Sequence, residues 1–225
     1  MKINSVTTKN KTYPNFEAIK VAEIYSKINK DNTTFIYKIE KNKDFDFCNK
    51  LVNNLTQSKI ERMQINNPNI KHFLKNAFNS FNFSDYAAIG IKNNKPFGLV
   101  SILSSNSDKY AHIEYLATWK TEELNKIKNG GRDLINFVFN KYKDKKNINL
   151  TPAFDSELFY YKFGFDYENE YERNQMSIDT YEIKKQLNSL AEKFTYKPIE
   201  NERSEDLEKF ITTIWILPKF ISKIN

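Results

Sequence analysis

The sequence predicts a mixed α/β fold built as a single domain, on three observations. The hydrophobic pattern switches between the strand and the helix repeat along the chain, while no internal repeat and no Pro/Gly/Ser-rich linker divides it. Three short runs rich in β-branched and aromatic residues, YAAIGIK, FGLVSIL and YAHIEYLATW, succeed one another across the turn signals NNKP and SSNSDK. An antiparallel meander is the economical reading of them. Finally, 225 residues, 40% hydrophobic and 28% charged, suffice for one substantial core or at most two small ones. The expectation is a mostly antiparallel central sheet flanked by helices over residues 33–187, with an N-terminal extension over 1–32 and a helical C-terminal extension over 188–225.

The elements follow in order. Residues 1–32 are polar and weakly patterned, with a short helix expected around FEAIKVAEIYSKI. TTFIYKIE, Thr33 to Glu40, alternates as a strand. DFDFCNKLVNNLTQSKIERM suggests a helix with Cys48, Leu51, Val52 and Leu55 on one face. Ile70, Phe73, Leu74, Ala77, Phe78 and Phe81 fall at i, i+3, i+4, i+7, i+8 and i+11, which predicts an amphipathic helix. After the three-strand meander, the polar loop KTEELNKIKN leads to Gly130, Gly131 and a helix that buries Leu134, Ile135, Val138 and Tyr142. NINLTPAF reads as a strand, DSELFYYKFG as a helix ending at Gly164, and FDYENEYERNQMSIDTYEI as a terminal hairpin. A glycine suits the helix end because it reaches positive φ without a Cβ penalty. In the C-terminal extension Leu207, Phe210, Ile211 and Ile214 form an amphipathic helix expected to cover the sheet or a homodimer partner.

Composition narrows the function. Thirty-five Lys and Arg against 28 Asp and Glu give a net charge of +7, a surface that attracts phosphates and acidic partners. A single cysteine, Cys48, excludes an internal disulfide and a zinc site built on several cysteines, and His72 and His112 are too far apart to read as metal ligands. No metal is expected. The N-terminus MKINSVTTKNKTYPNF lacks the apolar segment of a secretory signal, and the most apolar stretch, ITTIWILPKFI, is short and interrupted by Pro218. A cytoplasmic protein without a membrane span is the expectation.

Two short motifs carry the chemistry. KIKNGG, Lys126 to Gly131, opens a helix with two adjacent glycines, and FYYKFGF, Phe159 to Phe165, places an aromatic cluster ahead of Gly164. With the element order, these motifs resemble the GNAT superfamily of acyl-CoA-dependent N-acetyltransferases, over roughly residues 33–187. In that family a strand-to-helix turn with Arg or Gln and a Gly-x-Gly pattern binds the coenzyme A pyrophosphate. Backbone N–H groups and the positive end of a helix dipole must approach the phosphates closely there, and side chains would obstruct them. The resemblance assigns that turn to Lys126, Lys128, Asn129, Gly130, Gly131 and Arg132. Lys126 stands where Arg or Gln is usual, and Asn129 where the first glycine is usual; Asn tolerates left-handed backbone. Two glycines at a helix start are also an ordinary packing feature.

The second motif matches the family's aromatic, Tyr, three variable residues and Gly-Phe at Phe159, Tyr160, Gly164 and Phe165. The resemblance implies that the Tyr160 hydroxyl protonates the departing thiolate. A thiol has a pKa of about 8.5 and a phenol of about 10, so a hydrogen-bonded hydroxyl can respond to charge developing on sulfur. Ala153 and Ser156 replace the Asn and Ala that often precede this tyrosine, which removes one coenzyme contact.

Transfer also requires a neutral amine, and an amine of pKa about 10.4 needs a base near pH 7. The family frequently carries that base on the strand before the pyrophosphate loop, here AHIEYLATW. Strict alternation puts His112, Glu114 and Leu116 on one face and Ile113, Tyr115 and Ala117 on the other. Both Glu114 and His112 are candidates for the base. The backbone of Leu116, Ala117 and Thr118 would hold the pantetheine arm, and an N–H there could stabilise an oxyanion. The expectation is acetyl transfer from acetyl-CoA, as cosubstrate, to a primary amine on a small molecule, protein or peptide, by direct attack in a ternary complex. Nucleic acid is not the expected partner. The alternative is a catalytically inactive acyl-CoA or nucleic-acid binding module on the same fold.

Overall fold

A computed structural model of the chain describes residues 19–28, 33–40, 68–93, 95–104, 109–118, 128–153, 155–169 and 174–203. The expected helix around Cys48, the loop containing Lys126, and the helix of Leu207 to Ile214 lie outside the described residues. The strands are β1 (Ile19–Ser26), β2 (Thr34–Lys38), β3 (Tyr86–Lys92), β4 (Lys95–Leu103), β5 (Tyr110–Thr118), β6 (Asn147–Leu150), β7 (Asp166–Tyr167), β8 (Met176–Asp179) and β9 (Phe194–Arg203). Four helices join them: α1 (Pro68–Asn79), α2 (Gly130–Tyr142), α3 (Glu157–Tyr161) and α4 (Thr180–Lys193). All nine strands form one sheet in the order β7-β8-β6-β5-β4-β3-β2-β1-β9. Every described pairing is antiparallel except that of β5 with β6, which α2 connects as a crossover.

Both faces of the sheet are covered, so its central strands read as apolar runs rather than clean alternations. β3 is buried from Ala87 to Lys92. Ala88 on β3 and Val100 and Ile102 on β4 join Leu134, Ile135 and Val138 of α2 in one core cluster. On the other face lie the buried Leu74 and Ala77 of α1 and Phe81 in the 3-10 turn that follows it. The apolar spacing read from Phe73 to Phe81 is thus the face by which α1 and this turn pack on the sheet.

Three elements differ from the sequence reading. Ile19–Ser26, expected within a short helix, is a strand, because β2 and β9 satisfy its backbone on both edges and Ala22 and Ile24 are fully buried at strand spacing. The terminal hairpin exists, as β7 with β8, but it stops at Asp179, whose carboxylate accepts from the Glu182 N–H at 2.8 Å and caps α4. Residues 194–203, expected to be helical, form β9 and complete the sheet beside β1.

Candidate active site

The site is organised by the one parallel pair. β5 and β6 stay in register from Tyr110 opposite Asn147 to Ile113 opposite Leu150, and there the pairing ends. β5 continues to Thr118 bonded to β4 alone, so beyond Ile113 its other backbone edge has no strand partner among the described residues. Such an edge presents N–H and C=O groups ready to pair with an extended amide-bearing ligand.

A β-bulge sits at this parting. Ser101 faces Tyr115 while the next residue, Ile102, faces Ile113, so Glu114 is the extra residue of β5. The bulge overturns the strict alternation expected from the sequence. Leu116, placed by simple counting with His112 and Glu114, packs instead against the core cluster that contains Ile113. Tyr115, placed with Ile113, turns to α1, where its ring lies 5.4 Å from that of Phe73. His112 and Glu114 do come together: Nε2 lies 3.9 Å from Oε2, with both side chains about one-third exposed. Ala117 is buried, and Thr118 lies against Gly98 of β4, where an added Cβ would meet the Ala117 carbonyl at 2.6 Å.

The second component is the start of α2. Lys128 and Asn129 are exposed, and Asn129 has φ 65 and ψ 13, the left-handed turn for which Asn is suited. Its side chain makes no cap, and the first intrahelical bond runs from the Asp133 N–H to the Asn129 carbonyl. The N–H groups of Gly130, Gly131 and Arg132 therefore precede the helix ladder and point along the positive end of the helix dipole. Each residue of this turn meets a different neighbour. A Cβ on Gly130 would lie 2.5 Å from Phe97, the bulged residue of β4, and one on Gly131 would lie 3.0 Å from Phe159 of α3. Packing therefore demands a glycine at 130, and at 131 a side chain would press on the Phe159 ring. Arg132 and Asp133 lead elsewhere: the guanidinium binds the Asp133 carboxylate and stacks 3.7 Å over the Phe194 ring.

Tyr160, next to Phe159, is the third component. Its ring is buried between Phe159 and Phe165, with centroids at 5.1 and 5.7 Å. Burial pushes the hydroxyl up to about 12. The phenol is therefore neutral and a hydrogen-bond donor throughout the neutral range. Tyr161, by contrast, is exposed. Gly164, at φ 82, ends the segment where a Cβ would strike Glu182 of α4. No hydrogen bond, ion pair or ring contact joins Tyr160 directly to His112 or Glu114; the two groups are linked through the β5–β6 pair and the α3 segment that follows β6.

An open cavity of about 590 Å³ lies at the other end of α2, lined by Lys109, Lys141, Lys145 and Lys146 with Tyr142, Asp144 and Thr180. Cations suit a helix C-terminus, and this basin adjoins the N-terminal ends of β5 and β6, whereas the strands part at Ile113 and Leu150. Among the described residues no cluster of three His, Cys, Asp or Glu could hold a metal, and no helix is long and apolar enough to cross a membrane.

One nine-stranded sheet, antiparallel but for the β5–β6 pair that α2 connects, with helices packed against it, is the mixed α/β architecture the sequence predicts. Neither a family model nor a curated protein matches the chain. It is similar to the solved structure of Tetrahymena GCN5, at 14% identity over 58% of this chain and 87% of that one, with a TM-score of 0.41. It is also similar to a PaiA N-acetyltransferase from Thermoplasma acidophilum in complex with coenzyme A, at 14% identity over 65% and 98%, TM-score 0.45. An uncharacterised protein from Bacillus halodurans is similar at 14% identity over 76% and 96%, TM-score 0.49. These are remote likenesses, and the reading of the site rests on the residues of this chain.

Proposed function

We propose that the protein transfers an acetyl group from acetyl-CoA to a primary amine, by direct attack within a ternary complex. The parting of β5 from β6 after Ile113 and Leu150 is the observation that carries this reading. Among the described residues no strand pairs with the far edge of β5 at Leu116, Ala117 and Thr118, which suits the amides of a pantetheine arm, beside a helix start whose first N–H groups suit the pyrophosphate. Lys128 adds charge at that turn, and Lys126 precedes it.

Glu114 or His112 takes a proton from the acceptor ammonium, directly or through water. The amine lone pair attacks the thioester carbonyl carbon, and a backbone N–H of β5 stabilises the oxyanion. The tetrahedral adduct loses the second proton of the attacking nitrogen to solvent, the oxyanion re-forms the carbonyl, and the C–S bond breaks with its electron pair leaving on sulfur. Tyr160 donates its hydrogen bond to the departing sulfur. With the phenol near 12 and a thiol near 8.5, complete transfer leaves an unstable buried phenolate, so the proton must be replaced rapidly from solvent or the spent base.

Calorimetric titration with acetyl-CoA and CoA, followed by CoA release in a panel of amines, tests the reading. Micromolar binding with amine-dependent release supports it; no binding of either nucleotide overturns it.

A second reading, a module that binds acyl-CoA without turnover, is favoured by one observation: Phe97 and Phe159 fill the space beside both glycines, so packing alone accounts for them. Binding of acetyl-CoA without release of CoA to any amine would select it.

A further inference from the structure

KYKDKK, Lys141 to Lys146, has no part in the reaction above, yet with Lys109 and Thr180 it supplies the lining of the open cavity of about 590 Å³. The backbone that carries these lysines is tied together. The Lys146 N–H donates to the Lys109 carbonyl at 2.7 Å, the Lys145 N–H to the Tyr142 carbonyl at 3.0 Å, and the Thr180 N–H to the Lys146 carbonyl at 3.0 Å. The Thr180 hydroxyl reaches the Lys145 and Lys146 carbonyls at 2.7 and 2.9 Å. The ammonium groups are served differently: among the described residues no carboxylate pairs with Lys109, Lys141 or Lys146. Lys141 Nζ lies instead 3.9 Å from the ring centroid of Tyr86 and 5.5 Å from that of Tyr142, contacts that hold it in place without neutralising it. Four lysines thus meet one carboxylate, that of Asp144. The negative end of the α2 dipole and the positive start of α4 both border the basin and roughly cancel, so the excess positive charge stands. Partial burial and then the Lys38 ammonium lower the Lys141 pKa, a tension that an anion in the basin relieves.

We propose that this basin is a binding site for a compact polyphosphate anion, separate from the acetyl-transfer site and independent of that reading. The 13 residues of α2 put it roughly 20 Å from the turn at Gly130, so the two places bind anions separately. Its volume falls within the range of about 300–1,000 Å³ usual for small-molecule sites. The lysines converge on it from three chain segments, ahead of β5, at the end of α2 and ahead of β6. Linked phosphates concentrate several charges in such a volume, and ammonium groups take their oxygens as point charges without a fixed geometry. An acidic peptide spreads one charge per residue along its backbone. A single-stranded nucleic acid wants a basic track with rings open to its bases. The rings here, Tyr86 and Tyr142, lie against Lys141.

Inorganic tripolyphosphate is the probe, titrated calorimetrically at low salt into the full-length protein. One-to-one binding is expected, weakening as salt rises and raising the urea midpoint by linkage. Lys109→Gln and Lys146→Gln, both at exposed positions, each weaken it about tenfold, the effect of one charge-assisted hydrogen bond. Lys128→Gln, at the other end of α2, leaves the affinity unchanged. Absence of binding overturns the inference, as does an affinity that falls in Lys128→Gln and not in the two basin variants. Hexaglutamate or a single-stranded oligonucleotide that binds more tightly than tripolyphosphate gives the basin to an acidic peptide or to nucleic acid, and overturns it equally.

Discussion

A Cβ placed on Gly131 would lie 3.0 Å from Cζ of Phe159, so the Phe159 ring of α3 packs directly on the backbone at the start of α2. This contact brings the two sequence motifs side by side. It also makes a prediction about the pair of glycines. Gly130→Ala would drive its methyl to 2.5 Å from Phe97, a ring that is itself buried and that also packs over Gly90, where an added Cβ would come equally close. Gly130→Ala should therefore cost about 1–3 kcal/mol by overpacking, only partly offset by better helix propensity. Gly131→Ala meets a less confined ring and should cost less. Urea unfolding of both variants checks the order; equal stabilities would mean that Phe97 can move aside.

Tyr160→Phe should leave the fold intact, since the ring contacts with Phe159 and Phe165 remain. Under the proposed reaction, kcat falls on the order of a hundredfold while KM for acetyl-CoA stays within about twofold, the signature of an interaction made in the transition state. Tyr161→Phe is the control, because Tyr161 is exposed. Steady-state kinetics on the three proteins decide it, and unchanged turnover in Tyr160→Phe removes that hydroxyl from the mechanism.

Periodicity made α1, the three central strands and α2 readable, because each has a long apolar face with one dominant repeat. β1 was ambiguous for a physical reason: IKVAEIYS places Ala22 and Ile24 where a strand buries them, but a chain this short also fits a helix, and only pairing with β2 and β9 decides. The start of α4 was marked in the sequence after all, by Asp179 followed three positions later by Glu182. No sequence signal marks the bulge at Glu114, since neither Gly nor Pro accompanies it. Its consequence, the exchange of Leu116 and Tyr115 between faces, was therefore invisible to counting. The contact of Arg132 with Phe194 is likewise a product of β9 returning to the sheet beside β1.

Alkaline titration probes the buried phenols. Burial raises the hydroxyls of Tyr86 and Tyr142 well above their ordinary value, with the Asp85 carboxylate adding to the effect at Tyr142, and raises Tyr160 and Tyr196 to about 12. A folded pKa above the unfolded value near 10 means that the stability is complete below about pH 10 and lost as pH rises through the folded values. The urea midpoint should accordingly decline above about pH 10. Phenolate absorbance should show these four tyrosines ionising late, until the protein unfolds. Ionisation of these four hydroxyls near pH 10 in a protein that is still folded would contradict the burial.

The base is decided by comparing Glu114→Gln with His112→Gln. The two side chains form a partly exposed pair at 3.9 Å, so either substitution should change stability by less than about 1 kcal/mol. Loss of the base slows the reaction at neutral pH but matters less at alkaline pH, where more of the acceptor amine is already neutral. The variant lacking the base should therefore lose kcat/KM by about a hundredfold near pH 7 and recover most of it as pH approaches the amine's own pKa. A uniform loss across the pH range points instead to a contact with the acceptor. The bulge favours Glu114: as the extra residue of β5 it sits where the strand parts from β6, whereas His112 lies within the paired segment opposite Asn149. Glu114→Gln should accordingly show the pH-dependent loss and His112→Gln a smaller, flatter one.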